Sequence, residues 1–165
     1  MTTDLQTTDA ADQGLESGYE EPRGTIFLAE DDGAMRALLA MAMTRAGFRV
    51  LEARNGIELL DRIESELGDR DTLGAGNVIV SDVKMGRLGG FGVLETLQQA
   101  GCDAPCILIT AFGDEETHAR ARELGADALF DKPFAIKTLL DRVRDVLDHQ
   151  RTAADGLRGA PAGTR

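Results

Sequence analysis

The chain has 165 residues, with 29 acids against 18 bases and a formal net charge of −11. That length suits one domain of ordinary size, and that charge argues against nucleic-acid binding and docking on anionic membranes, both of which need clustered Lys and Arg. With no Trp, one Tyr and six Phe the core has to be aliphatic, and no apolar run approaches the roughly 20 residues of a membrane span.

Residues 1–23 hold six acids and one base with almost no large apolar side chains, so they are expected to be disordered. Thr25 to Ala29 is a short apolar run that reads as a buried strand. Met35, Leu38, Leu39, Ala42, Met43 and Ala46 recur at helical spacing until Gly47. Arg49 to Ala53 is a second strand, and Ile57, Leu59, Leu60, Ile63 and Leu67 mark a second helix. A polar loop, Gly68 to Gly76, leads to a third strand at Val78 to Val80. Phe91, Val93, Leu94 and Leu97 give a third helix and Cys106 to Thr110 a fourth strand. A fourth helix is expected over Asp114 to Leu124, a fifth strand over Asp127 to Phe130, and a fifth helix from Ile136 to Leu147. The folded core is thus read as 24–149, with 150–165 a flexible C-terminal tail. Cys102 and Cys106 offer neither a disulfide framework nor zinc spacing and read as free thiols of a reducing cytoplasm.

Strands and helices alternate five times, and the strands are too uniformly apolar to have a wet face. The expected fold class is α/β, a doubly wound sandwich around a five-stranded parallel sheet. Chemistry in such folds gathers beyond the carboxyl ends of the strands. There the sequence puts Glu30, Asp31 and Asp32, then Asp82, Thr110 and finally Lys132 with Pro133. Converging carboxylates repel unless a cation lies among them. Oxygen ligands without His or Cys suit Mg²⁺, and a lone Lys is a point charge for phosphoryl oxygens. The set reads as a phosphoryl-transfer site with a carboxylate nucleophile. His118 and His149 read as solvated. Gly86, Gly89, Gly90 and Gly92 do not fit a nucleotide-binding pattern and read as a mobile loop.

The pieces IFLAEDDGAMR, VIVSDVKM, ILITAFGDEE and GADALFDKPF, in that order, resemble the receiver domain of bacterial two-component response regulators over about residues 24–148. The resemblance implies the flavodoxin-like strand order 2-1-3-4-5. It implies that Asp82 takes a phosphoryl group from a kinase phosphohistidine, and that Glu30, Asp31, Asp82 and the Lys84 backbone carbonyl hold Mg²⁺. Thr110 would bond the phosphoryl group and Lys132 would hold one of its oxygens, with the Lys132–Pro133 peptide typically cis. Asp32 falls one position beyond the acidic pair, near a helix start. Partners would be a sensor histidine kinase or histidine phosphotransfer protein and a downstream protein target, with no DNA and no membrane insertion. The chain is then expected to be a stand-alone cytoplasmic phosphoacceptor rather than an enzyme, with at most slow autophosphorylation or autodephosphorylation. The alternative is a pseudo-receiver that binds partners without phosphoryl turnover; an aspartyl phosphohydrolase ranks last, because Lys84 stands where a second Asp is needed. Three departures from the family pattern stand out. Gly86 replaces a usual Pro and Gly89 a usual polar residue, which predicts a looser loop after Asp82, and Leu129 takes the place of an aromatic switch residue. Lys84 and Phe112 occupy the two variable positions flanking the phosphoryl group.

Overall fold

The computed structural model describes residues 21–68 and 73–158. The expected acidic tail up to residue 20, part of the loop after Gly68 (69–72) and residues 159–165 lie outside the described residues. The elements in chain order are β1 (Thr25–Ala29), α1 (Gly33–Arg45), β2 (Arg49–Ala53), α2 (Gly56–Leu67), β3 (Asn77–Asp82), α3 (Gly90–Gln99), β4 (Cys106–Thr110), α4 (Glu115–Glu123), β5 (Ala128–Asp131) and α5 (Ile136–Arg158). All strand pairings are parallel, in the order β2-β1-β3-β4-β5.

Strand periodicity divides the core. Ile26, Leu28, Val78, Val80, Ile107 and Ile109 face one side, where Leu39 and Met43 of α1 and Leu139 and Val143 of α5 cover them. Phe27, Ala29, Ile79 and Leu108 face the other, under Leu59 and Ile63 of α2 and Val93, Leu94 and Leu97 of α3. Both faces of the central strands are therefore dry, which is why they read as continuous apolar runs. Each fully buried Leu, Ile or Phe contributes about 1.5–3 kcal/mol by leaving water. The helix α4 is the exception: its sequence is EETHARARE and Ala121 is its one buried residue. Among the described residues no helix is long and apolar enough to cross a membrane.

The structure corrects three expectations. The helix α5 does not stop near residue 149 but continues to Arg158. Its added turns contain Gln150, Arg151, Ala153 and Ala154, all good helix formers, which outweigh Thr152, Asp155 and Gly156, and two of their side chains are tied down. Gln150 accepts from the Gly76 N–H at 3.2 Å, and the Arg151 guanidinium donates to the Arg23 carbonyl. β3 runs on to Asp82, so the acid is the last residue of a buried strand rather than the start of a loop. The glycines read as one mobile loop divide: Gly90 and Gly92 lie in α3, and Gly89 just before them is closely packed. A Cβ at Gly89 would lie 2.1 Å from the Val83 carbonyl oxygen, and one at Gly90 would lie 2.8 Å from both the Asp82 carbonyl oxygen and a Leu108 methyl. Of the two substitutions that predicted looseness, Gly86 alone faces open space.

Candidate functional site

The C-terminal ends of β1, β3, β4 and β5 lie side by side because the sheet is parallel and in register, Ala29 beside Ser81, Asp82 beside Ile109 and Thr110 beside Asp131. Residues following these strands therefore meet. Glu30 is 1% exposed and Asp82 6% exposed. Lys132 Nζ donates to Glu30 Oε2 and to Asp82 Oδ2, both at 2.8 Å. Asp31 is exposed and makes no side-chain hydrogen bond or ion pair among the described residues. Carboxylate oxygens of Glu30, Asp31 and Asp82 nonetheless lie within 4.8 Å of one another.

Several backbone contacts hold this cluster. The Asp32 N–H donates to Glu30 Oε1 at 3.1 Å, and Arg36 donates to the Glu30 carbonyl at 2.8 Å. Asp32 itself caps α1, its Oδ1 accepting from the Met35 N–H at 2.8 Å. The Lys84 N–H donates to Asp82 Oδ1 at 2.9 Å. That contact is made by the Val83–Lys84 peptide, whereas the carbonyl that the resemblance assigns to the cation belongs to the next one, Lys84–Met85. The Lys132–Pro133 peptide is cis.

Electrostatics follow from burial and pairing. Burial pushes the Glu30 carboxyl above its ordinary value, outweighing the Lys132 hydrogen bond that pulls it down. Burial also opposes the Lys132 charge, but its hydrogen bonds to Asp82 and Glu30 overcome it and its ammonium pKa is raised. One ammonium faces three carboxylates, which leaves two formal negative charges uncompensated. A hard dication fits that deficit and that all-oxygen donor set.

The remaining predicted residues lie outside this hydrogen-bonded cluster. Thr110 is 1% exposed, and its hydroxyl oxygen accepts from the Phe112 N–H at 3.1 Å. Among the described residues no side-chain hydrogen bond joins Thr110 to Asp82 or Lys132. Lys84 Nζ lies 4.8 Å from the centroid of the Phe112 ring, a cation–π contact that bridges the loops after β3 and β4. The Phe112 ring is 67% exposed. Leu129 is half-buried and packs against the hydrophobic core on the α2–α3 side of the sheet. The neighbouring Phe130 stacks at 5.7 Å with Phe134 on the α5 side, so the aromatic group of this strand faces away from Leu129.

Sequence reasoning missed one contact. His118 is not simply solvated; its Nε2 lies 2.9 Å from Asp131 Oδ2, joining α4 to the end of β5. The signal available was Asp131 standing next to Lys132.

Residues 26–144 match the family model described as the response regulator receiver domain. The response regulator MprA of Mycobacterium sp. (strain KMS) is 34% identical over 139 residues, covering 84% of this chain and 56% of MprA. The chain spans about half the length of the curated relatives it matches. Among solved structures, a CheY-like response regulator receiver domain protein from Methanospirillum hungatei JF-1 superimposes with a TM-score of 0.67 at 23% identity, over 79% of this chain and 98% of that one. That likeness shows the fold. The chemotaxis protein CheY4 of Vibrio cholerae gives 0.62 at 25% identity, over 74% of this chain and 98% of its own.

Proposed function

We propose, because the chain belongs to the response regulator receiver domain family of two-component systems, that Asp82 accepts a phosphoryl group from a phosphohistidine donor, a sensor kinase or a histidine phosphotransfer protein. The observation that carries this reading is the single ammonium of Lys132 shared at 2.8 Å between Glu30 and Asp82 with Asp31 alongside. That arrangement neutralises one carboxylate and leaves room in the charge balance for a dication.

An oxygen of the Asp82 carboxylate forms the new O–P bond as the donor's N–P bond breaks. The imidazole nitrogen keeps the electron pair and takes up a proton. Lys132 moves no proton in this step; its ammonium faces the incoming phosphoryl oxygens as a fixed charge. The Thr110 hydroxyl already accepts from Phe112, and its own proton is the one available to a phosphoryl oxygen. Glu30, Asp31 and Asp82 are the residues that would hold Mg²⁺, with the Lys84 peptide beside them. The ion supplies charge neutralisation, without which a dianionic phosphoryl group meets three carboxylates. The phosphorylated and resting forms would differ in their affinity for a downstream protein. The cytoplasm is the compartment consistent with such donors and with the free, buried thiols of Cys102 and Cys106.

The test is labelling by a small-molecule donor such as acetyl phosphate. Label on Asp82 that depends on Mg²⁺ and disappears in Asp82→Asn is the expected result. No label on the wild type under those conditions favours a pure interaction module instead, and label on Asp31 or Asp32 contradicts the assignment of the nucleophile.

A further inference from the structure

Four consecutive residues after Thr110, namely Ala111, Phe112, Gly113 and Asp114, are all exposed. No buried side chain anchors this loop, and the helix it leads into buries Ala121 alone. Something else must fix it, because it carries the Phe112 N–H that holds the Thr110 hydroxyl and the ring that meets Lys84.

Asp131 supplies the missing anchor. It pairs in register with Thr110 across β4 and β5. An ideal Cβ on Gly113 would lie 1.4 Å from Asp131 Oδ1 and 2.4 Å from its carboxyl carbon, so the loop backbone rests directly against the carboxylate, and any side chain there would push the Asp131 carboxylate from its place. The same carboxylate is gripped from α4: His118 Nε2 lies 2.9 Å from Oδ2 and 3.2 Å from Oδ1. A carboxylate only accepts, so Nε2 carries the hydrogen. One residue further on, the Lys132 N–H donates to the Thr110 carbonyl at 2.7 Å, and its ammonium reaches Glu30 and Asp82. Two successive residues of one strand end thus serve opposite sides, Lys132 the carboxylate cluster and Asp131 the loop.

We propose that Asp131 is a positioning residue: held by His118, its carboxylate seats the loop after β4 at Gly113 and so fixes Thr110 and Phe112 beside the phosphoacceptor. The inference rests on the phosphoacceptor reading for its effect on the reaction, but the seating itself does not. A group that must meet a phosphoryl oxygen gains from being held in place beforehand.

The experiment compares Asp131→Ala, His118→Ala, His118→Gln and the double Asp131→Ala/His118→Ala variant. Two readouts are taken: Asp82 labelling by acetyl phosphate with Mg²⁺, and amide exchange of residues 111–119 without any phosphoryl donor. An exposed pair sets the scale, so each Ala variant is expected to label about two- to fivefold more slowly, with the double variant no slower than Asp131→Ala. His118→Gln keeps an N–H donor and recovers part of the rate. Exchange over 111–119 accelerates while the unfolding midpoint holds. Wild-type labelling and wild-type exchange in Asp131→Ala overturn the proposal, as does a loss of labelling that merely follows a lower unfolding midpoint. If the wild type takes no label, the phosphoacceptor reading has failed and exchange alone decides the seating. Acceleration confined to 111–119 upholds it, and unchanged exchange rejects it.

Discussion

Replacing Lys132 by Met removes the one positive charge between two buried carboxylates while keeping most of the stem's volume. Glu30 and Asp82 are then left facing each other with side-chain exposures of 1% and 8%. Breaking a buried ion pair from one side costs about 3–5 kcal/mol. The Lys132 side chain is 19% exposed, so water reaches it, and the lower end, about 3 kcal/mol, applies. For a chain of this size that is a fall in Tm of about 6–12 °C. The pH dependence gives a sharper test. The Glu30 carboxyl has a folded pKa above its ordinary 4.5. Its contribution is therefore fully present below about pH 4.5 and is lost as pH rises through the folded value. Lys132 lowers that folded value, so without it Glu30 is raised further and the variant regains more stability on acidification than the wild type does. The stability gap measured by urea unfolding, followed by circular dichroism, should be widest near pH 7 and narrow toward about pH 5. Equal midpoints at neutral pH, or a gap that widens on acidification, would refute the view that the ammonium compensates Glu30.

Lys84→Ala removes the ammonium from the Phe112 ring. If that contact covers Asp82, phosphoryl loss should speed up about two- to fivefold, the worth of an exposed cation–π pair, and an unchanged or longer lifetime argues that Lys84 serves solvent only. Asp31→Asn should raise the Mg²⁺ concentration needed for half-maximal acetyl phosphate labelling without lowering the unfolding midpoint, since the side chain is exposed and unpaired among the described residues. Leu139→Ala empties a fully buried position between α5 and the sheet and is expected to cost about 2–5 kcal/mol in urea unfolding. Gly89→Ala should destabilise as well, because its Cβ would stand 2.1 Å from the Val83 carbonyl oxygen; a variant of normal stability would show that the loop shifts freely.

The parts of this molecule that could be read beforehand are those governed by periodicity. β1 and β4 fall on the residues their apolar runs indicate, since a strand dry on both faces leaves no other pattern, and the edge strand β2 falls on Arg49–Ala53 as read although two of its residues are exposed. The meeting of Glu30, Asp82 and Lys132 followed from reading the alternating strands as a parallel sheet, because such a sheet collects the carboxyl ends of its strands at one edge. Packing details were not legible. Gly89 and Gly90 look like flexibility in a string of letters, and only the approach of the Val83 and Asp82 carbonyls reveals them as close contacts. Residues 148–156 bring no large apolar side chain, so composition suggested a loose tail. Two polar ties, from Gln150 to Gly76 and from Arg151 to Arg23, hold the first of these turns to the segments that lead into β3 and β1. His118 has no partner within its own helix, and its bond to Asp131 crosses 13 positions of sequence.

α5 begins three residues after Pro133, close to the carboxylate edge, and is tied at Gln150 to Gly76 at the opposite end of the sheet. At about 1.5 Å per residue its 23 residues form a rod of about 35 Å, against about 17 Å for a five-residue strand. A single stiff member therefore spans the domain from pole to pole. A tilt of that rod at the Lys132 end needs no relay of side chains to be felt at the other. It arrives as a swing of the helix tip, larger in proportion to the length that projects past the sheet, and the ties at Gly76 and Arg23 set the fulcrum about which the swing is measured.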